Sequence, residues 1–535
     1  MNHRTEKRHT DLYPACRAVL GETGWKHFSR KWADALDDQS LSAVLPRTGK
    51  DTGPEFLPDL ARLEETSFTV LELGKSIPRE VAKPHVNPTL RVVKLSWKNL
   101  VAFLDPHRKH STIHPERRSE HVLLWYNPHT GSVSALPADD ESLLVLKIVV
   151  EGITPESVAA RGKLPVGVVD AALFRAAARG LVLMPPSRIC RDPSFNRSGN
   201  GTFEQYLSSS AFTLQWHITQ NCDLHCKHCY DRSSRSELKL DQAVRILDDL
   251  RAFCMERNVS GAVSFTGGNP LLHPAFTEIY RAAAERGFST AILGNPSSRE
   301  QIAELIAIQM PAFFQVSLEG LREHNDSIRG PGHYDRTMEF LEVLRELRVY
   351  SMVMLTLTSE NIDQVLPLAE ALRGRTDLFN FNRLSTVGEG ANLKMPDARQ
   401  YKSFLLSYLD AARGNPVMGI KDNLINIILR DRGMSPFGGC TGYGCGAAFN
   451  FASLLADGEV HACRKFPSPI GNVRSQSIAE IYDSDTAQRY RNGSRACQSC
   501  AIRPVCGGCL ACAHSSGLNV FEDKDPFCFM PDKYC

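Results

Sequence analysis

Nothing in this 535-residue sequence is long and apolar enough to cross a bilayer. The richest apolar run, LLVLKIVV at 143–150, is short and broken by Lys147, whereas a spanning helix needs about 20 such residues. The opening stretch MNHRTEKRHTDLYPAC has basic side chains but no apolar segment behind them, so it does not read as a signal peptide. An excess of either charge is missing too: 62 Lys and Arg face 60 Asp and Glu, leaving a net charge of +2. Nucleic acid and anionic membranes are held by concentrated positive fields, and the whole-chain balance offers none. Several Arg and Lys near the N-terminus leave room for a local patch. The expectation is a cytoplasmic chain with neither nucleic acid nor a membrane as partner.

Apolar residues make up 42% of the chain and charged residues 23%, as in ordinary globular proteins. At roughly 150 residues per domain, the length implies three or four domains. What stands out is cysteine, 16 residues in all. In a reducing compartment such a number points to metal or redox chemistry before disulfides. The distribution is uneven: three lie at 222–229, ten at 440–535, and Cys16, Cys190 and Cys254 stand alone.

Residues 1–105 mix helical patterns with Pro and Gly breaks, and Leu57, Leu60 and Leu63 have helical spacing, so a small, mostly helical domain is expected there. The pattern changes over 106–190. HVLLWYNPHTGSVSALP reads as two strands joined by a turn at 127–131. A helix follows from Asp140, and a second starts at Thr154-Pro155-Glu156, with Thr as N-cap and Pro in the first turn. VGVVDAALFRAAARG gives a third, closed by Gly180 and a short strand. A hairpin with three helices makes a winged-helix-like unit. Such a unit is a spacer, an old DNA-binding fold, or a peptide-docking module in which a substrate strand adds to the hairpin edge. Residues 188–210 are polar and rich in Gly, Ser and Asn, and read as a linker.

Over 205–395 six strand-like stretches alternate with amphipathic helical patterns: 212–219, 262–267, 290–294, 312–318, 351–358 and 378–384. Repeated βα units imply a parallel sheet covered by helices, closed or partly closed as a barrel, with the active site at the C-terminal ends of the strands. Cys222-Asp-Leu-His-Cys226-Lys-His-Cys229 falls directly after the first of these strands. Three thiolates on one tight loop can ligate three irons of a [4Fe–4S] cube and leave the fourth open for an exogenous ligand. A structural zinc favours four protein ligands, and this spacing supplies three.

The stretch ITQNCDLHCKHCY resembles the signature of the radical S-adenosylmethionine (SAM) superfamily, C-x3-C-x2-C at the end of the first strand of a partial (β/α)6 barrel. The resemblance covers about 212–390. It implies that Cys222, Cys226 and Cys229 bind the cluster and that His228 lies near the adenine. It also implies that Gly267, Gly268 and Asn269 hold the methionyl amine, with Asn269 standing where the superfamily usually has Glu. Ser317 would contact the ribose or carboxylate of SAM, and Arg329 would order the loop or the carboxylate; Asn295 and Arg383 are further candidates.

The remaining cysteines run Cys440-x4-Cys445-x17-Cys463, then Cys497-x2-Cys500-x5-Cys506-x2-Cys509-x2-Cys512, then Cys528 and Cys535. Close Cys pairs with distant partners are metal-site spacing, and structural zinc is the plain alternative. The pattern over 396–535 resembles the SPASM extension of peptide-modifying radical SAM enzymes, which usually carries two auxiliary [4Fe–4S] clusters. That resemblance assigns Cys440, Cys445, Cys463 and Cys509 to one and Cys497, Cys500, Cys506 and Cys528 to the other, with Cys512 rivalling Cys509 and Cys535 as a surplus thiol. Arg464 stands where anaerobic sulfatase maturases place a catalytic Asp, so that chemistry is not expected.

The fold class expected is therefore α/β: a radical SAM barrel with a Cys-rich SPASM-like extension, preceded by helical and winged-helix (PqqD-like) domains. The implied function is reductive cleavage of SAM to a 5′-deoxyadenosyl radical that modifies a ribosomally made precursor peptide, with a flavodoxin- or ferredoxin-type electron donor. The module at 106–190, the GGNP motif and LPDLARLE look most like the selenobiotic, or thio(seleno)oxazole-modification, branch, whose substrate would contain Cys or selenocysteine. The alternatives are a radical SAM enzyme acting on a small molecule or cofactor precursor, a non-catalytic Fe–S electron carrier, and a zinc-containing DNA binder.

Overall fold

Residues 122–125 of the predicted hairpin, Val-Leu-Leu-Trp, are apolar without alternation, which is the pattern of a strand covered on both faces. The computed structural model, which describes residues 12–31, 40–45, 53–105, 108–196 and 201–531, shows both covers. The chain divides into two compact units, Met1–Pro186 and Ser187–Cys535. In the first, β1 (His85–Val86), β2 (Arg91–Leu95), β3 (Glu120–Asn127), β4 (Ser132–Pro137) and β5 (Val182–Leu183) form two small antiparallel sheets, β2-β3-β4 and β1-β5. Val122 and Leu124 of β3 share a core with Leu57, Leu60 and Leu63 of the helix Leu57–Leu73. Leu123 and Trp125, on the opposite face, pack with Val145, Ala172 and Ala176. These belong to two of the three expected helices, Asp140–Glu151 and Val166–Ala178; the other is Pro155–Gly162. Asp139 and Thr154 cap two of them by accepting from Ser142 N (2.7 Å) and Ser157 N (3.3 Å). The hairpin sheet takes in β2 from before residue 106, while β1 pairs with β5 in the other sheet.

The second unit begins where the sequence reads as linker, and the structure corrects that reading. Ile189 is fully buried, and Phe195 and Phe203 are buried as well. Arg191 is buried with them and donates to the carbonyls of Arg491 (2.8 Å), Tyr443 (3.2 Å) and Cys445 (2.7 Å). A few large side chains spaced along a polar segment are enough to fasten it, whatever its average composition.

Six parallel strands follow, each within a few residues of its expected position: β6 (Ala211–Thr219), β7 (Ser260–Gly267), β8 (Ser289–Leu293), β9 (Phe314–Ser317), β10 (Ser351–Leu357) and β11 (Leu378–Arg383). Helices between them, such as Leu240–Arg257 and His333–Glu346, turn apolar faces inward. β6 does not pair with β11, so the barrel is partial. The free side of β6 instead takes β12 (Phe451–Leu454) in parallel, in register Phe451 to Thr213 through Leu454 to Trp216. β13 (Glu459–His461) and β14 (Pro469–Asn472) continue antiparallel, giving the order β11-β10-β9-β8-β7-β6-β12-β13-β14.

Candidate functional site

The loop after β6 carries Cys222, Cys226 and Cys229 at the C-terminal edge of the parallel strands. Neighbouring segments hold its backbone: Gly268 N donates to Thr219 O (2.8 Å), Asn269 N to Asn221 O (2.7 Å), Lys227 N to Ile328 O (3.0 Å) and Glu389 N to Cys229 O (2.8 Å). The glycines after β7 are required for this approach. A Cβ on Gly267, at φ 134°, would lie 2.2 Å from Thr219 O, and one on Gly268 would lie 2.1 Å from Asn221 O.

Two polar groups flank the thiols. On one side Arg329, ending the helix Arg322–Arg329, donates to Glu319 Oε1 through Nε (2.9 Å) and Nη2 (2.6 Å) and reaches Cys226 Sγ through Nη1 (3.6 Å). His228 Nε2 lies 3.3 Å from Arg329 Nη2 and 3.4 Å from Glu319 Oε1. Burial would raise the Glu319 carboxyl, but the charges of His228 and Arg329, with a hydrogen bond from Thr356 N (2.8 Å), hold it below the usual range. Burial also pushes the Cys222 and Cys226 thiols up. On the other side Asn295 Nδ2 donates to Asp223 Oδ1 (2.6 Å) and approaches Cys222 Sγ (3.6 Å), while Asn269 Nδ2 donates to the same Asp223 Oδ1 (3.1 Å). Ser317 ends β9, and its hydroxyl makes no hydrogen bond among the described residues.

The C-terminal cysteines surround two separate voids. Cys440, Cys445, Cys463 and Cys509 line one, with Lys421 and Lys465; Cys497, Cys500, Cys506 and Cys528 line the other. Among the described residues no three His, Cys, Asp or Glu side chains converge as a single metal ion would need, so the thiols ring spaces rather than points. Four thiols around a void is the donor set of a [4Fe–4S] cube, and three on the first loop leave one iron corner free. The residues present fit these groups.

Cys512 is buried and does not line the first void; it donates to the Cys509 sulfur. That hydrogen bond, with Lys465 and Arg383 nearby, pulls Cys509 down toward the thiolate, whereas Cys512 is pushed well up. Asn423 joins the two voids, donating to Cys506 O and Gly508 O (both 2.8 Å) and accepting from Cys440 N (2.6 Å). Arg383 lies at this site and not at the first loop: Asp422 (2.9 Å) and Asp525 (2.8 Å) pair with it, and Asp525 accepts from Cys509 N (2.9 Å). Arg464 lies between the first loop and the first void. It follows Cys463 in the chain, stacks over the Tyr230 ring at 4.3 Å and donates to Thr266 Oγ1 (2.9 Å). Burial pulls its pKa down to about 9, opposed by Cys229. Cys535 lies outside the described residues.

Arg191, Glu319, Asn423 and Asp525 were not legible as site residues, because each acts on a backbone or side chain far away in sequence. Asp223 had one visible signal, its place beside Cys222 within the cysteine motif.

Comparison with known proteins agrees with this geometry. Residues 216–372 match the radical SAM superfamily, and 445–509 match the SPASM iron–sulfur cluster-binding domain. An AdoMet-dependent heme synthase of Methanosarcina barkeri is 25% identical over 61% of this chain and 99% of its own. Mycofactocin maturase MftC of Mycolicibacterium smegmatis is 28% identical over 61% of this chain and 84% of its own. The crystal structure of Streptococcus suis SuiB bound to its precursor peptide SuiA superposes with a TM-score of 0.50 at 17% identity, covering 77% of this chain and 96% of SuiB. The chain thus has a radical SAM fold with a SPASM domain; the former binds a [4Fe–4S] cluster and SAM, the latter auxiliary iron–sulfur clusters. Among the described residues no helix is long and apolar enough to cross a membrane.

Proposed function

We propose that this radical SAM and SPASM chain is a peptide maturase, acting on a ribosomally made precursor that contains Cys or selenocysteine, as in the selenobiotic branch. The observation that carries the reading is the set of three thiols at the C-terminal edge of the barrel, with two four-thiol voids beside it in the same unit. Cys222, Cys226 and Cys229 hold the SAM cluster; Cys440, Cys445, Cys463 and Cys509 hold one auxiliary cluster, and Cys497, Cys500, Cys506 and Cys528 the other. When bound and reduced by an external flavodoxin- or ferredoxin-type donor, the first cluster passes an electron to SAM, which yields methionine and a 5′-deoxyadenosyl radical.

The chain's own part is positioning. Gly267 and Gly268 bring the β7 backbone against the loop. Arg329, braced by Glu319, fixes the Cys226 side and orients His228 toward the adenine. Ser317 offers a hydroxyl at the end of β9 for the ribose or carboxylate of SAM. Cys512 keeps its proton and supports Cys509 as the ligand. The hairpin and three helices of the first unit supply the peptide-docking module, and the likeness to the mycofactocin maturase MftC supports a maturase role.

The heme synthase relative, matched over 99% of its length, favours a second reading in which a small cofactor precursor is the substrate. Anaerobic incubation of reconstituted protein with SAM, reductant and the precursor peptide encoded beside it separates the two. A mass change in the peptide with release of 5′-deoxyadenosine is expected; 5′-deoxyadenosine released only with a porphyrin would decide for the second. Replacing Cys222, Cys226 and Cys229 together with Ala should abolish SAM cleavage while absorbance from the C-terminal clusters persists. Cleavage by that triple variant would end the proposal.

A further inference from the structure

The motif after β7 reads Gly267-Gly268-Asn269 and carries no acid, yet a carboxylate stands against it. Asp223, inside the cysteine loop, accepts at Oδ1 from both Asn269 Nδ2 (3.1 Å) and Asn295 Nδ2 (2.6 Å). Both asparagines are buried, 4% and 7% exposed, and come from the ends of different strands. The Asn269 amide is oriented from its other end too, since Oδ1 accepts from Leu271 N (3.3 Å). Asp223 Oδ2 accepts no hydrogen bond among the described residues, and the side chain is exposed at the loop.

This carboxylate sits in unfavourable company. It lies next to Cys222, whose thiolate it opposes, and a cluster adds further negative charge. Two buried amides nevertheless hold it in place instead of letting it swing into solvent. A fixed anion beside other anions is stabilised when a donor arrives from a ligand.

We infer that Asp223 supplies the anionic contact for the amino group of the SAM methionyl moiety, the acid having moved from the β7 motif to the cysteine loop, with Asn269 and Asn295 as its positioning residues. The amine donates its N–H to Asp223 Oδ2 while Oδ1 stays with the two amides. This rests on the SAM-binding reading above and names a residue that reading does not use.

The test is SAM affinity of the reconstituted full-length chain, by anaerobic equilibrium dialysis, with iron and sulfide content measured on the same samples. Asp223→Asn keeps the shape and removes the charge; about tenfold weaker SAM binding at unchanged iron content is expected, the scale of a charge-assisted hydrogen bond. Adding Asn269→Asp to that variant inverts the pair, placing the carboxylate across the same contact, and should recover most of the affinity. The EPR signal of the reduced first cluster should lose its response to SAM in the single variant and regain it in the double one. Affinity unchanged in Asp223→Asn overturns the inference. So does iron loss that Asn269→Asp repairs without restoring SAM binding, since Asp223 is then only a loop brace. Failure of the unaltered protein to bind SAM would instead sink the reading beneath it.

Discussion

Cys509 and Cys512 are indistinguishable by spacing, and what separates them is where each sulfur sits: Cys509 lines the first void and Cys512 does not. Cys509→Ser should lose the iron of one auxiliary cluster, about four atoms, whereas Cys512→Ser should keep it; iron analysis of reconstituted protein reads this directly. Arg464 gives a second residue-scale prediction. It is a half-buried guanidinium whose charge is felt by Cys229, with its Nε buried and unpartnered among the described residues. Arg464→Met should make the first cluster harder to reduce, lowering its midpoint by on the order of 60 mV, a tenfold change for a one-electron couple, as measured by an EPR-monitored redox titration. The grouping of the thiols around the two voids was legible because cysteine spacing restricts which sulfurs can share a space. Their partners were not: Asn269 and Asn295 meet Asp223 across 46 and 72 residues of chain, and a single sequence carries no trace of such a meeting.

All six strands of the barrel were legible, since short apolar runs such as Met352–Leu357 alternate with helical patterns and leave few other packings. The linker at 188–210 was misread because composition averages over the few side chains that bury it, Ile189 and Arg191 above all. The turn after β7 was legible as glycine-rich but not for its purpose. Its glycines meet the carbonyls of Thr219 and Asn221 rather than open space. Gly268→Ala should therefore push the cysteine loop off the β7 edge, costing about 1–3 kcal/mol as overpacked sites do. Iron in the first cluster should fall while the auxiliary absorbance stays, with the stability loss read from chemical denaturation.

Across the second unit, Arg383 at the end of β11 is pinned between Asp422 and Asp525, so the last barrel strand is tied to the segment that presents Cys509 and Cys528. Arg383→Met would leave two buried carboxylates without their cation, a loss of ~3–5 kcal/mol, visible as a lower denaturation midpoint even before any cluster is assembled. The shared sheet has a further consequence for how the protein is made. β6 finds its second neighbour only when Phe451–Leu454 arrives. At ~5–20 residues per second the ribosome takes on the order of 10–50 s to cover that interval. For all that time the opening strand of the barrel shows a bare row of amides and carbonyls to the cell. A nascent chain halted before residue 451 should therefore stick to its neighbours, and helpers that shield strand edges during translation would raise the yield of the complete protein.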